Sequence, residues 1–366
     1  MSAAGGVRHL YVHLPFCAHR CGYCDFVTVV GRRGEHAGYV DALLAELELE
    51  RPLLADGVET VYLGGGTPTF TEHDELGRLL AALPHAEELT VEANPETVTA
   101  PLAELFVRNG VDRVSLGAQS FHTAFLDVLE RRARPDAVRR AVHLLRRAGI
   151  DNISLDLLYG IPGQSASHVA ADIGEALALE PEHLSCYELE AKPGTRFAHA
   201  HGEELARQAD AMEGYFELVV ETLVGAGYRW YETANFCRAG RESRHNLAYW
   251  RGRDYLGLGI GAVSTLGAVR RRNTPKLAAY VTALAGGGQP PRETEWLDED
   301  VRARERLMLG LRLDRPLALA DVRGALDMDA LVRLERLGLA ERRADGLALT
   351  SRGRFLGGGV TVELLA

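Results

Sequence analysis

Short apolar runs alternate with amphipathic stretches over the first two-thirds of the chain. The apolar runs are rich in Val, Leu, Ile and Tyr, and each is followed by Gly, Pro or Asn, which is typical of β-strands. The stretches between them have the pattern of amphipathic helices. We predict strands at residues 9–16, 60–63, 88–92, 113–116, 152–157 and 183–188, and helices that include 39–54, 101–109, 135–148 and 169–179.

The spacing of these elements indicates the fold class. Successive strands are mostly separated by roughly 25 to 40 residues, which is the spacing of βα units that build a parallel sheet with right-handed crossovers. Six such units in series predict an α/β protein with either a partial barrel or a doubly wound sheet. The spacing alone does not decide between the two.

The pattern changes after residue 205. One long helix is predicted at 206–225, the segment 228–236 alternates like a strand, and a Gly-rich run follows at 257–267. The sequence GGGQPP at 286–291 has the composition of a linker. The tail is predicted to contain helices at 299–310, 317–326 and 330–337, a strand pair around 340–350 and a last helix from residue 351, a layout that resembles a winged helix.

Charge and hydropathy exclude several classes of protein. The chain has 41 Lys and Arg against 51 Asp and Glu, a net charge of −10, which argues against a general nucleic-acid binder. The tail from residue 297 holds twelve acidic and twelve basic residues, which disfavours DNA binding by the winged-helix-like unit. No apolar run approaches the roughly 18 residues of a membrane helix, and the N-terminus lacks a secretory apolar core. We therefore expect an intracellular, cytoplasmic protein without stable membrane insertion.

Three of the five cysteines, Cys17, Cys21 and Cys24, fall within eight residues directly after the first predicted strand. Such a cluster in a reducing compartment indicates a metal site, and thiolates select Fe–S clusters or zinc. Three ligands leave one iron of a four-iron cluster free to bind S-adenosylmethionine (SAM) through its amino and carboxylate groups. The alternative is a structural zinc site completed by His13 or His19, although no second CxxC hairpin is present. The lone Cys186 and Cys237 are interpreted as core thiols.

A resemblance to a known family rests on these residues and their surroundings. The motif CxxxCxxC, preceded by Tyr11-x-His13-x-Pro15-Phe16 and followed by GGGTPT at 64–69, resembles the radical SAM superfamily. Within it, the chain is similar to the oxygen-independent coproporphyrinogen III oxidases and the HemW-type heme chaperones. The resemblance implies a partial (β/α)6 TIM-like barrel with a smaller C-terminal winged-helix-like unit. It divides the chain into a core with the Fe–S cluster at 1–205, a barrel extension at 206–290 and a C-terminal domain at 291–366.

The same resemblance implies a set of SAM contacts at the carboxyl ends of the strands. Carboxylates there accept hydrogen bonds from ribose hydroxyls or the ammonium group, and an arginine can pair with the SAM carboxylate. The structural alternative for each residue is a turn, a cap or an ion pair at a strand end. The implied SAM residues are Tyr11, Gly64, Gly65, Gly66, Thr67, Glu92, Gln119, Arg131, Asp156 and Leu158.

Two departures favour the heme chaperones over the oxidases. The oxidase motif continues as CxxxCxxCxC, but Phe26 stands at the last position, and only sixteen residues precede Cys17. In addition, residues 245–250 form the HNxxYW motif that HemW-like proteins use for heme, which implies that His245, Asn246, Tyr249 and Trp250 bind heme. A half-buried, hydrogen-bonded histidine is the alternative. If the motif forms a helical turn, His245 is expected at its cap.

These inferences predict a heme chaperone with a 4Fe-4S cluster, SAM and heme as cofactors, which transfers heme to an acceptor such as a respiratory enzyme. Nucleic acid is not an expected partner. The alternative is an enzyme, either an oxygen-independent coproporphyrinogen III oxidase or another radical SAM enzyme of porphyrin metabolism. The sequence leaves open whether the protein has enzymatic activity.

Overall fold

The computed structural model describes residues 6–344 and 346–366. Its strands are β1 (His9–Leu14), β2 (Phe16–Cys17), β3 (Val29–Val30), β4 (Val58–Gly65), β5 (Ala86–Ala93), β6 (Arg113–Gln119), β7 (Asn152–Tyr159), β8 (His183–Glu188), β9 (Arg229–Trp230), β10 (Asn235–Cys237), β11 (Leu256–Leu258), β12 (Val263–Leu266), β13 (Val269–Asn273), β14 (Arg292–Trp296), β15 (Ala340–Arg343) and β16 (Gly346–Leu349).

Helices follow most of the strands. They are α1 (His36–Glu50), α2 (His73–Ala82), α3 (Ala100–Arg108), α4 (Thr123–Val128), α5 (Pro135–Ala148), α6 (Ala166–Leu177), α7 (Arg196–Gln208), α8 (Met212–Gly225), α9 (Arg244–Trp250), α10 (Leu277–Ala285), α11 (Glu299–Gly310), α12 (Met328–Arg336), α13 (Ser351–Phe355) and α14 (Gly357–Leu364).

One large sheet carries the fold. Its strand order is β11-β1-β4-β5-β6-β7-β8-β10-β9, and the strands from β11 to β8 are parallel while β10 and β9 are antiparallel. A helix connects each successive pair in the series β1, β4, β5, β6, β7 and β8. This arrangement is the predicted partial (β/α)6 barrel, and it answers the question that strand spacing left open.

Side chains alternate between the two faces of the barrel strands. In β6 the residues Val114 and Leu116 are fully buried in the main hydrophobic core, under the helices. Arg113 and Ser115, between them, point into the barrel, where they line a cavity. Because successive strand residues face opposite sides, the outer face is apolar and the lumen is polar.

The polar lumen is held together by hydrogen bonds between neighbouring strands. The hydroxyl of Tyr62 donates to Glu92 at 2.7 Å, and the Ser115 hydroxyl donates to Asp156 at 3.1 Å. Ser154 and His183 are bonded at 2.8 Å. Each pair satisfies groups that would be costly to bury alone.

Helix α9 closes the barrel at the amino ends of the strands. The carboxylate of Glu88, at the start of β5, accepts hydrogen bonds from the backbone N–H groups of Arg244 (3.0 Å) and His245 (3.1 Å). These donors lie in the first turn of α9, where N–H groups lack partners within the helix. The Ser243 side chain caps the same helix by accepting a bond from the Asn246 N–H. The expected cap at His245 is therefore wrong, because the helix already begins at Arg244, two residues earlier than a cap at His245 implies.

The C-terminal unit has a hydrophobic core of its own. Buried residues of α11, α12, α14 and the β15–β16 hairpin form a cluster that includes Leu307, Leu331 and Leu347. A helix–helix–hairpin order of this kind is winged-helix-like, as predicted. The predicted helix at 317–326 is wrong: two 3-10 turns, Leu319–Asp321 and Arg323–Ala325, occupy the segment.

Two further predictions change in the middle of the chain. The helix predicted at 206–225 is interrupted by a 3-10 turn at Ala209–Ala211, which separates α7 from α8. The strand predicted at 228–236 is a hairpin, in which β9 pairs with β10. Strand β14, which follows the predicted linker, pairs with β13. The domain boundaries after residues 205 and 290 stay a prediction. No helix in the described part of the chain is long and apolar enough to cross a membrane.

The contact between Glu88 and α9 predicts the effect of a mutation. We expect Glu88→Gln to lower the free energy of unfolding by about 1–3 kcal/mol, because the amide leaves one buried backbone donor poorly satisfied. The measurement is urea unfolding followed by circular dichroism. The control is Glu87→Gln, since the Glu87–Arg244 ion pair is about half exposed on both sides and should change stability by less than about 0.5 kcal/mol. Equal effects of the two variants would contradict the role of Glu88.

Candidate functional site

The three clustered cysteines lie on a loop whose ends are joined. Strand β2 pairs with β3, and the Gly31 N–H donates to the Cys17 carbonyl at 2.8 Å. Cys17 is buried at the end of β2, while Cys21 and Cys24 are half-buried within the loop. The Cys24 N–H donates to the Cys21 carbonyl at 3.2 Å. The loop therefore presents three thiols at the carboxyl edge of the sheet, as predicted.

Polar groups surround these thiols. The Thr67 hydroxyl donates to the Cys17 sulfur at 3.5 Å, and a guanidinium nitrogen of Arg131 lies 3.7 Å from the Cys21 sulfur. Burial raises the pKa of Cys17 to about 11 and also raises the pKa of Cys24. Both thiols are therefore protonated near neutral pH, so a metal centre bound here has to displace protons.

The histidines nearest to the cysteines have other partners. His13 is bonded through one ring nitrogen to the Val27 carbonyl at 2.8 Å and through the other to Tyr11 at 3.0 Å. His19 lies 2.6 Å from the Glu130 carbonyl and 3.9 Å from the Cys21 sulfur. Among residues 6–344 and 346–366, no three His, Cys, Asp or Glu side chains are close enough to hold a single metal ion.

The glycine turn at the end of β4 is packed tightly against β1. Gly65 has a φ of +110°, and a Cβ there would lie 2.4 Å from the His13 ring. A Cβ on Gly66 would lie 2.4 Å from the Pro15 carbonyl oxygen, and one on Gly64 would lie 3.0 Å from the Glu92 carboxyl. Only glycine fits at positions 65 and 66, whereas a Cβ at position 64 would require the Glu92 side chain to shift. The turn brings the Gly65 N–H within 3.2 Å of the Glu92 carboxylate.

A cavity of about 580 Å³ extends from the cysteine loop into the barrel, and we call it the lumen cavity. It brings together residues that are distant in the sequence but lie at the carboxyl ends of successive strands. The predicted residues that line it are Cys17, Cys21, Cys24, Gly65, Gly66, Thr67, Glu92, Gln119, Arg131, Asp156, Leu158 and Asn246.

The backbone is distorted where Gln119 enters this cavity. The pairing of β6 with β7 shifts between Gly117 and Gln119, and Gln119 has a φ of +67°, which is uncommon for a residue other than glycine. Such strain is concentrated at functional sites. The Arg131 guanidinium is held beside it by bonds to the Gly117 carbonyl (2.9 Å) and the Asn94 side-chain oxygen (2.8 Å).

Not all predicted residues line the lumen cavity. Tyr11 lines a neighbouring cavity of about 390 Å³, and Gly64 is not among the residues that line either cavity. Further polar residues line the lumen cavity that the sequence analysis did not single out, among them Tyr62, Asn94, Arg113, Ser115, Ser185 and Tyr187. Most of them lie on strands, where every second side chain faces the lumen. The alternation of polar and apolar residues along these strands could therefore have identified them.

The HNxxYW residues point in different directions. His245 is 1% exposed, and its ring nitrogens are bonded to the Thr60 hydroxyl at 2.7 Å and to the Tyr249 hydroxyl at 2.9 Å. Burial lowers the pKa of His245 to about 3. Asn246 lines the lumen cavity, whereas Tyr249 and Trp250 line a separate cavity against α11. In this arrangement both nitrogens of His245 are engaged within the protein.

Comparison with known proteins adds independent findings. The family model for the radical SAM superfamily matches residues 11–176, and that for the HemN C-terminal domain matches residues 297–356. The heme chaperone HemW of Mycobacterium tuberculosis is 36% identical over 97% of this chain and 94% of its own length. HemW of Bacillus subtilis is 32% identical over 96% of this chain and 97% of its own. The structure of coproporphyrinogen III oxidase (HemN) from Escherichia coli is similar in fold, with a TM-score of 0.80 and 22% identity over 99% of this chain and 91% of that one.

The Glu92 carboxyl predicts a pH dependence of stability. Burial raises the pKa of Glu92 from 4.5 to about 7. Between these two pH values the folded protein therefore keeps a proton that the unfolded chain has released. Stability contributed by this group therefore falls as pH rises through that window. We expect the free energy of unfolding of the wild type, relative to Glu92→Gln, to fall by on the order of 1–3 kcal/mol between pH 5 and pH 8. Urea unfolding of both proteins across this range measures the difference, and a constant difference would contradict the raised pKa.

Proposed function

Because this chain belongs to the HemW family of the radical SAM superfamily, we propose that it is a heme chaperone that binds a 4Fe-4S cluster, SAM and heme and delivers heme to an acceptor protein. The observation that carries the proposal is the 36% identity with the HemW heme chaperone of M. tuberculosis over 97% of this chain. The lumen cavity and the folded HNxxYW motif support it, since they supply two separate places for ligands. The proposal places this work in the cytoplasm.

The residues at the mouth of the lumen cavity fit an Fe–S cluster. Cys17, Cys21 and Cys24 would hold it, and a cluster of this type supplies an electron and an iron with an open coordination position. The chain itself contributes a buried setting and a fixed cation, because Arg131 lies 3.7 Å from the Cys21 sulfur. A guanidinium beside a thiolate offsets part of the negative charge that the cluster brings into the site.

The rest of the lumen cavity fits a ligand that carries both an ammonium and a carboxylate group, as SAM does. Glu92 and Asp156 offer carboxylates on neighbouring strands, and Arg131 offers the guanidinium. The turn at Gly65 and Gly66 lets the backbone approach a ligand without a Cβ in the way. We assign SAM to this end of the cavity and leave open whether the protein cleaves it.

We assign heme to the HNxxYW helix. The role of His245 as an iron ligand stays a prediction, and it requires the imidazole to exchange its bond to Thr60 or Tyr249 for a bond to iron. A neutral imidazole is the form that binds iron, and the low pKa of His245 keeps it neutral. Tyr249 and Trp250 supply aromatic faces that can pack on a porphyrin.

The cluster assignment predicts which cysteine variants lose colour. We expect Cys17→Ala, Cys21→Ala and Cys24→Ala each to abolish the brown absorption near ~400 nm after anaerobic reconstitution with iron and sulfide, because each removes one of three thiolates. Cys186→Ala is the matched control, since this thiol is buried in the hydrophobic core and should leave the band unchanged. A colourless wild-type protein after reconstitution would overturn the assignment.

The heme assignment predicts that the protein binds hemin. We expect the wild type to bind one equivalent of hemin with a defined Soret band, and we expect an altered band for His245→Ala if this residue ligates iron. Identical affinity and spectra for His245→Ala would exclude it as a ligand.

The chaperone proposal also predicts the result of an oxidase assay. Reconstituted protein with coproporphyrinogen III under anaerobic conditions should yield no protoporphyrinogen, and clear turnover would favour the oxidase alternative over the chaperone.

A further inference from the structure

Another cavity, of about 770 Å³, lies between α9 and α11 and shares no lining residue with the lumen cavity. We call it the α9–α11 cleft. One wall is the end of the HNxxYW helix with Tyr249 and Trp250, and the opposite wall is the face of α11 that carries Arg302, Ala303 and Arg306. Its volume is in the range of about 300–1,000 Å³ that is usual for small-molecule sites.

The floor of the cleft is aromatic and apolar. Tyr249 and Tyr255 meet edge to face with ring centroids 4.6 Å apart. The Trp250 ring is fixed from behind by the Arg312 guanidinium, 4.3 Å from the ring centroid. Met308 and Leu309 add apolar surface on the α11 side, and Met308 is 50% exposed. Flat aromatic side chains held in place suit a flat, largely apolar ligand.

Arginines with incomplete pairing line the rim. Arg306 has only a long contact of 3.8 Å with Asp321, and its Nη1 is buried with no hydrogen-bond partner in the described part of the chain. Within the same residues, the side chains of Arg253 and Arg302 make no ion pair or hydrogen bond, and both are exposed at the cleft. A buried guanidinium N–H without a partner is costly unless a ligand satisfies it. These groups therefore indicate an anionic partner.

Four acidic residues, Asp254, Glu299, Glu305 and Asp321, also line the cleft, and Asp321 lies 3.8 Å from Arg306 without reaching its buried Nη1. Glu305 is taken by Arg270, with contacts of 2.9 and 2.6 Å. Asp254 accepts hydrogen bonds from the Gly267 N–H at 3.0 Å. Burial lowers the pKa of Arg306, as does the nearby Arg253, while Asp321 raises it. A carboxylate from a ligand would be drawn to the space between Arg302 and Arg306.

We propose that heme docks in the α9–α11 cleft, with its flat ring on the aromatic floor and its propionate carboxylates on Arg302 and Arg306. This inference rests on the proposed function and deepens it, because it gives the heme site a location and a means of recognising carboxylates. It also makes the C-terminal unit part of that site. The cleft lies outside the barrel, so heme reaches it without entering the lumen cavity.

The test is a hemin titration of the full-length protein, read by Soret absorbance and by quenching of tryptophan fluorescence. We expect the double variant Arg302→Gln, Arg306→Gln to bind hemin about tenfold or more weakly, because it loses two charge-assisted contacts. Arg304→Gln is the matched control: Arg304 is exposed on the same helix but does not line the cleft, and its affinity should match the wild type.

Two further measurements keep the test decisive if the double variant folds poorly. Ala303→Trp fills the cleft from the α11 side and should also weaken hemin binding about tenfold or more. Hemin dimethyl ester, which lacks the free carboxylates, should bind the wild type more weakly than hemin and should be insensitive to the arginine substitutions.

The outcomes separate the cleft from the proposed function. If the wild type binds hemin while the arginine, tryptophan and ester experiments all leave the affinity unchanged, heme does not dock in the α9–α11 cleft. The chaperone proposal then still stands. If the wild type binds no hemin, the chaperone proposal fails and the cleft inference fails with it.

Discussion

The structure depends on how the polar groups inside the barrel are satisfied. Parallel strands that place Arg, Ser, Asp, Glu and His in the lumen can be stable only if these groups find hydrogen-bond partners there. At the amino ends of the strands the partners come from the protein itself. Glu88 binds the first N–H groups of α9, and His245 binds Thr60 and Tyr249. These bonds hold α9 against the amino ends of β4 and β5.

At the carboxyl ends the ionisable groups line the lumen cavity, which is the candidate ligand site. Cys17 and Glu92 carry raised pKa values because burial disfavours their charged forms, and Gln119 keeps a strained backbone. A ligand that brings iron or an ammonium group would stabilise the charged thiolate and carboxylate. In the proposed function, binding of such a ligand would offset the cost of burying these groups.

The sequence predicted the parts of the site that depend on short spacing. The cysteine loop, the glycine turn and the positions of Glu92, Gln119 and Asp156 near strand ends follow from local patterns. All of them line one cavity, with the exception of Gly64 in the glycine turn. The cap of α9 was missed because Ser243 lies outside the HNxxYW motif. The barrel could have been preferred over a doubly wound sheet from the alternation of polar and apolar residues in 113–119, since strands buried on both faces by helices are usually apolar throughout. The burial of His245 could not be foreseen, because its partner Thr60 is 185 residues away.

Helix α9 contacts both the barrel and the C-terminal side of the chain. Its seven residues span about 10 Å, with the Glu88 carboxylate at one end and Trp250, stacked under Arg312 of the C-terminal side, at the other. A ligand in the lumen cavity meets this helix through Asn246, and a ligand in the α9–α11 cleft meets it through Tyr249 and Trp250. Helix α9 is therefore anchored to the barrel through the N–H groups of its first turn and to the C-terminal side through Trp250.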